Sequence, residues 1–248
     1  MNILEEKFIY KDASFRDITL RAYAEYGLYD NVTIIGKVPF KIYRTEYFLD
    51  DVYTQVQVSR STAGFGDLET AIKYGLLRNP TSVSFQGGIK IPLGYKKFPE
   101  NDAPRLGTSE IDFQGMLLAG QSFHPLPLYA SGGVGYRKRG GDLHDEVIYE
   151  FETGYTWNDL FFKIYFSGIK NTEKPPDLYG GEIQLPIRGG GGVVPDILYG
   201  DQDINQISFS LSYNIEPGMA IEATVFDVLS GKNTIAGQTF SVGFILYK

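Results

Sequence analysis

The stretch "GFGDLETAIKYGLLRNPTSVSFQGGIKIPLGYKKF", residues 64–98, reads as two strands around the turn "RNPT" (78–81). Strand side chains alternate with period two. Leu68, Thr70, Ile72, Tyr74 and Leu76 therefore share one face of the first strand, and Val83, Phe85, Ile89, Ile91, Leu93 and Tyr95 share one face of the second. The opposite face carries Asp67, Glu69, Lys73 and Lys90. Something apolar must meet the first face, either a protein core or a bilayer.

The same rhythm runs along the whole chain. Period-two segments bounded by Gly, Pro, Asn and Asp fall at 15–29, 32–48, 64–77, 82–97, 109–122, 128–139, 146–157, 160–170, 206–214, 219–229 and 238–248. Their connections alternate in size: short at 30–31, 78–81, 124–127, 158–159 and 215–218, longer at 49–63, 98–108, 140–145, 171–205 and 230–237. Outer-membrane barrels have this asymmetry, with tight periplasmic turns and longer external loops. Such barrels have an even number of strands, so a twelfth is expected. "LEEKFIYKD" (4–12) is its candidate, with a trimmed first strand as the competing explanation. The expected fold is all-β, an up-and-down antiparallel transmembrane β-barrel of about twelve strands forming one domain over residues 1–248.

Extending the apolar parity gives Ile18, Leu20, Tyr26, Ile34, Phe40, Phe113, Leu117, Val134, Phe151, Phe162, Ile164, Phe209, Leu211, Phe240, Val242, Phe244 and Leu246, a face without charge. A Lys or Arg facing mid-bilayer lipid costs roughly 2–4 kcal/mol, so a lipid-facing wall demands that exclusion. The opposite parity carries Arg21, Lys37, Lys41, Lys73, Lys90, Arg137 and Lys163 against Glu25, Asp67, Glu69, Asp112, Glu150, Glu152 and Glu222, an expected lumen network of cross-strand ion pairs. A soluble barrel or sandwich would show the same alternation turned inside out. Against it, Tyr26, Tyr29, Tyr155, Trp157 and Tyr213 cluster beside the short turns, where a membrane barrel places its aromatic girdle.

Composition agrees with one large β domain: Gly, Tyr and Phe are abundant at 29, 18 and 17 residues, and no linker divides the chain. No apolar run reaches the ~18 residues of a spanning helix. A formal charge of −7 argues against nucleic acid as a partner. Zero Cys excludes disulfides and thiolate metal sites. The opening "MNILEEKFIYKD" lacks the regions of a signal peptide, as expected of a mature form or of a chain never exported.

The segments "EYGLYDNVTIIGKVPF" (25–40), "GFGDLETAIKYGLL" (64–77), "VSFQGGIKIPLG" (83–94), "RLGTSEIDFQGMLLAGQSF" (105–123) and "LYASGGVGYRKR" (128–139) resemble the outer-membrane family associated with the meta-pathway of phenol degradation. The resemblance spans most of the chain and implies a barrel near twelve strands that passes small hydrophobic or aromatic compounds. The final Lys248 and the "GTSE" loop (107–110) depart from the family's pattern.

Candidate chemistry is sparse. His124 lies in the turn "HPLP" and His144 in the loop "GGDLHDE" (140–146) with no serine nearby, which predicts solvated polar residues and no enzyme. "DQDIN" (201–205) opens like a calcium loop but lacks the following Gly and a twelfth-position Glu, so no metal site is expected and loop acids such as Asp142, Asp145, Asp201 and Asp203 are read as solvated. "RGGGG" (188–192) has no Lys-Ser/Thr after it and reads as a flexible part of a long loop. Inward parity also holds Met116, Leu118, Tyr129, Phe161 and Tyr165, an apolar and aromatic lining suited to an uncharged solute.

The expected function is a narrow channel or passive transporter in the bacterial outer membrane for small, hydrophobic or aromatic solutes. It needs no cofactor, and its partners are outer-membrane lipid, lipopolysaccharide and the solute, with a monomer favoured. The long segment 171–205 is expected to restrict the external mouth. The alternatives are a plugged barrel that serves as a structural or surface protein and, less favoured, an outer-membrane lipase or deacylase.

Overall fold

In the computed structural model, which describes residues 10–50, 55–97, 99, 103–173, 201–232, 234 and 237–247, the chain is one curled antiparallel sheet. Its strands are β1 (Tyr10–Tyr29), β2 (Val32–Asp50), β3 (Gln55–Phe65), β4 (Asp67–Leu77), β5 (Ser82–Pro92), β6 (Asp112–Ser122), β7 (Leu128–Lys138), β8 (Glu146–Trp157), β9 (Leu160–Asn171), β10 (Asp203–Glu216), β11 (Met219–Lys232) and β12 (Gln238–Leu246). Each pairs with its sequence neighbour except β3 and β4, which share one edge of β2.

The twelve strands match the expected number, but the twelfth is not the segment 4–12. Residues 10–12 open β1, and residues 4–9 lie outside the described ones. The extra strand arises instead inside the expected segment 64–77. β4 pairs with residues 32–37 of β2 and β3 with residues 40–50, so together they make one crossing interrupted at Gly66. The cause is Pro39, which has no N–H to donate to a ladder. Gly66 fits the irregularity: its N–H donates to Pro39 O at 3.0 Å, and a Cβ there would stand 3.1 Å from both Pro39 Cγ and Lys41 Cε. The connection expected over 49–63 is largely strand. It carries polar residues on both faces, so the apolar alternation fades there although the pairing continues.

The two faces separate as the alternation requires. Phe85, Leu117 and Val134 are neighbours in register on β5, β6 and β7, and Ile164, Phe209, Val225 and Phe240 on β9 to β12. Except for the half-buried Val225, all are exposed, as are Leu20, Ile34, Ile72 and Phe151. A contiguous apolar surface of this extent is far beyond what a soluble monomer tolerates. Tyr26, Tyr29, Tyr155, Trp157 and Tyr213 are exposed beside the short turns. The sheet is a transmembrane β-barrel wall, greasy outside. Its buried apolar residues Ile35, Ala71, Met116 and Ile148 lie on the inner face, where Ile35 opposes Ala71 and both Met116 and Ile148 flank Gly135.

Candidate functional site: the lumen

Charge is stacked across the inner face in one register. Lys37 opposes Glu69, Glu69 opposes Lys90, and Lys90 opposes Asp112, so β2, β4, β5 and β6 present alternating signs. Lys90 Nζ lies 2.6 Å from Asp112 and 3.5 Å from Asp67, and Lys37 lies 3.7 Å from Glu69. Asp112, only 2% exposed, also faces Arg139 at 3.9 Å and accepts from Gly140 N–H at 3.1 Å. Arg139 continues the ladder to Glu146 at 2.8 Å and Asp201 at 3.5 Å, while Arg137 takes the other oxygen of Glu146 at 2.9 Å. Lys37, Asp67, Glu69, Lys90, Asp112 and Arg137 of the expected network are thus joined in ion pairs. Arg139 and Glu146 belong to them too, and both continue the parity of Arg137 and Glu150.

Nearer the short turns the chemistry changes. Lys73 pairs with Glu25 at 3.4 Å and Lys163 with Glu222 at 3.6 Å. Glu150 and Glu152 accept phenol hydrogen bonds from Tyr165 and Tyr129, and Glu25 accepts one from Tyr23. Lys41 donates to a backbone carbonyl, and Arg21 is exposed on β1.

The expected solute path divides. Met116 is buried, with its side chain across Gly135, whereas Leu118, Tyr129, Phe161 and Tyr165 are half-buried along the inner wall. Leu118 lies over Gly133, and the stacked Tyr129 and Phe161 rings, 6.1 Å between centroids, lie over Gly154. A Cβ at Gly154 would come 2.6 Å from Phe161, so glycine lets the rings rest flat on the wall. A cavity of about 380 Å³ opens at this end, lined by Leu118 and Glu150 together with Lys73, Arg78, Ser82 and Ser131. At the charged ladder a smaller cavity of about 50 Å³ lies between Lys37, Lys90, Asp112 and Arg137.

Among the described residues, the loop 103–111 folds inward at the other end. The residues expected to do so, Ile183 to Ile187, Gly189 to Gly192 and Val193 to Leu198, lie outside the described ones. Leu106, 3% exposed, packs 3.0 Å from the Cβ position of Gly64, and its carbonyl accepts from Lys41 Nζ at 2.9 Å. Thr108 Oγ1 accepts from Lys90 at 2.7 Å. Ser109 N–H donates to Tyr95 Oη at 2.8 Å, and that hydroxyl donates to Asp67. Burial, with Asp67 beside it, pushes the Tyr95 hydroxyl well above the usual phenol range. By parity Tyr95 belongs to the lipid face, and the structure corrects this. β5 ends at Pro92, and Gly94, with φ of 78°, breaks the alternation and turns Tyr95 inward. Nothing periodic marks Leu106 or Thr108 in the sequence, so the inward fold of this loop is not legible there.

Asp142 is exposed, as the solvated reading expects, but Asp145, Asp201, Asp203 and His144 differ from it. His144 Nδ1 meets Asp201, its backbone N–H donates to the same carboxylate at 2.9 Å, and its Nε2 lies 3.3 Å from Glu173. Asp203 accepts from Lys170 and from Asn171 N–H. Asp145 is held down to about 2 by the Tyr136 hydroxyl and the Arg139 N–H it accepts from, helped by Lys138. The contacts of His144 with Asp201 and of Asp203 with Lys170 join residues 57 and 33 positions apart, which no local pattern reports. His124 stays in its turn.

No family model matches the chain, and no curated protein matches it. Among solved structures it is similar to OmpTdeltaL8, a loop L8 deletion mutant of OmpT, an outer membrane protein of Vibrio cholerae, with 10% identity over 95% of this chain and 99% of that chain and a TM-score of 0.44. The expectation that the chain is not an enzyme is withdrawn. It was drawn from histidines read as solvated with no serine nearby, and His144 is instead held between Asp201 and Glu173.

Proposed function

We propose that this barrel is a narrow outer-membrane channel for the passive passage of small, hydrophobic or aromatic solutes, in keeping with the family resemblance of its hairpins. The observation that carries this reading is the flat seating of Leu118, Tyr129 and Phe161 over Gly133 and Gly154, which gives the wall an apolar stripe beside an open cavity of about 380 Å³. Apolar walls with a few placed polar groups are what an uncharged ligand of modest size meets favourably. Loop 103–111 then acts as the constriction, and Lys41 and Lys90 hold it down.

A plugged surface barrel is the second reading, and the small space of about 50 Å³ at the charged ladder favours it. Planar-bilayer conductance and uptake of toluene and of benzoate into liposomes separate the two. A channel passes toluene in the wild type, and Leu106→Gly, which frees the loop, raises conductance and passes both solutes. If neither protein conducts or takes up solute, the channel reading fails and the plugged one stands.

A further inference from the structure

We propose that Arg16 and Arg44, on the lipid-facing side of β1 and β2, hold the phosphate of an outer-leaflet glycolipid whose acyl chains lie down the apolar wall beneath them. The occupant is a phosphorylated glycolipid of the lipopolysaccharide class. This site needs the outer-membrane setting of the reading above but not a conducting lumen, which conductance tests separately.

Register and parity place the two side chains. Arg16 and Arg44 are directly opposite in the ladder of β1 and β2, as are Ile18 and Ile42, and Leu20 and Phe40. That register runs without a shift from Ser14 to Gly27, so the arginines share the face of those four exposed apolar residues. The inner face at this level belongs to Phe15 and Tyr43, whose rings meet edge to face at 5.3 Å. β1 ends at the short turn before Val32. The arginines therefore stand at the opposite end of the apolar wall, the loop side, which is external in barrels of this pattern.

Two cations facing each other across a ladder destabilise it, because their Cβ atoms are only about 5 Å apart. Arg44 is relieved by Glu46 at 2.6 Å. Arg16 is exposed and has no ion pair among the described residues, which leaves one positive charge over at this spot. A phosphate bracketed by two guanidinium forks turns that repulsion into charge-assisted hydrogen bonds from both sides.

The cations are also one-sided. Lys138 and Lys170 face outward at the loop end of β7 and β9, but each keeps a carboxylate of its own, Asp145 at 3.1 Å and Asp203. Beside the short turns, the described outward positions, Tyr26, Tyr155, Trp157 and Tyr213 among them, include no Lys or Arg on any strand. Only the leaflet on the loop side meets basic side chains on this wall. In an outer membrane that leaflet carries the phosphorylated glycolipid, and the lane of Ile18, Leu20, Phe40 and Ile42 below the arginines receives its acyl chains.

The test places the whole chain in phosphatidylcholine nanodiscs doped with lipid A or with lipid A stripped of its phosphates. Lipid retained per chain after transfer to detergent is measured by mass spectrometry. Each arginine near a charged membrane surface contributes about fivefold, so the wild type is expected to prefer the phosphorylated lipid by about 25-fold. Arg16→Gln, which leaves Arg44 on Glu46, should keep about a fivefold preference, and Arg16→Gln with Arg44→Gln none. Both variants remove a like-charge contact and are expected to fold, which amide exchange in the interior strands checks; the single variant decides the case if the double one does not fold. Equal retention of the two lipids by the wild type overturns the proposal, as does a preference that survives in the folded variants or is lost instead on replacing Lys138 and Lys170 with Gln. If inorganic phosphate displaces the bound lipid as well as free lipid A does at the same concentration, the site takes a free anion and the lipid assignment falls.

Discussion

Replacing Lys90 with Met strips the ladder of its central cation at little change in length. Asp112, 2% exposed, loses its partner at 2.6 Å and keeps only Arg139 at 3.9 Å and the Gly140 N–H at 3.1 Å. Breaking a buried pair by removing one member costs about 3–5 kcal/mol. The surviving donors place this case near the low end, at about 3 kcal/mol, and the lost bond to Thr108 adds about 1 kcal/mol. The expected loss is therefore about 3–4 kcal/mol. Adding Asp112→Asn removes the orphaned charge, and because Arg139 still holds Glu146 at 2.8 Å, the double variant should recover about 1–2 kcal/mol relative to Lys90→Met alone. Urea unfolding in lipid vesicles, followed by the fluorescence of Trp157, the single tryptophan, measures all three proteins. A loss below about 1 kcal/mol for Lys90→Met, or a double variant weaker than the single one, would refute the reasoning that a buried, mutually dependent ion ladder fixes this wall.

Ile72→Arg puts a charge on the lipid face and should cost about 2–4 kcal/mol of folding into bilayers, whereas Lys73→Gln on the inner face should cost less than half as much; equal loss of folded yield would reverse the two faces. Gly154→Ala drives a methyl against the Tyr129 and Phe161 rings, so it should destabilise by about 1–3 kcal/mol and, by tipping the rings into the bore, lower single-channel conductance. Asp145 has a folded value near 2 against about 3.9 unfolded, so the anchoring it gives the loop after β7 is complete above about pH 4 and is lost as pH falls toward 2. Limited proteolysis at Lys138 across that range should show the loop opening in acid, and Asp145→Asn should show it open already at neutral pH.

The alternation around 64–98 determined the lipid face, the lumen face and nearly every strand, because a strand's side chains point to fixed sides whatever lies far away in sequence. It also placed the girdle at Trp157 and Tyr213, since a strand end next to a tight turn is a local fact. Period two could not report the break at Gly66, which answers a missing N–H on Pro39 in another strand. It could not report Tyr95 either, which turns inward once Gly94 takes a positive φ. Loop 103–111 seats itself on Lys41 and Lys90, and His144 on Asp201, through contacts between segments distant in the chain. Such contacts satisfy buried polar groups wherever the curled sheet happens to bring partners together, so tertiary structure alone decided that loop 103–111 folds inward.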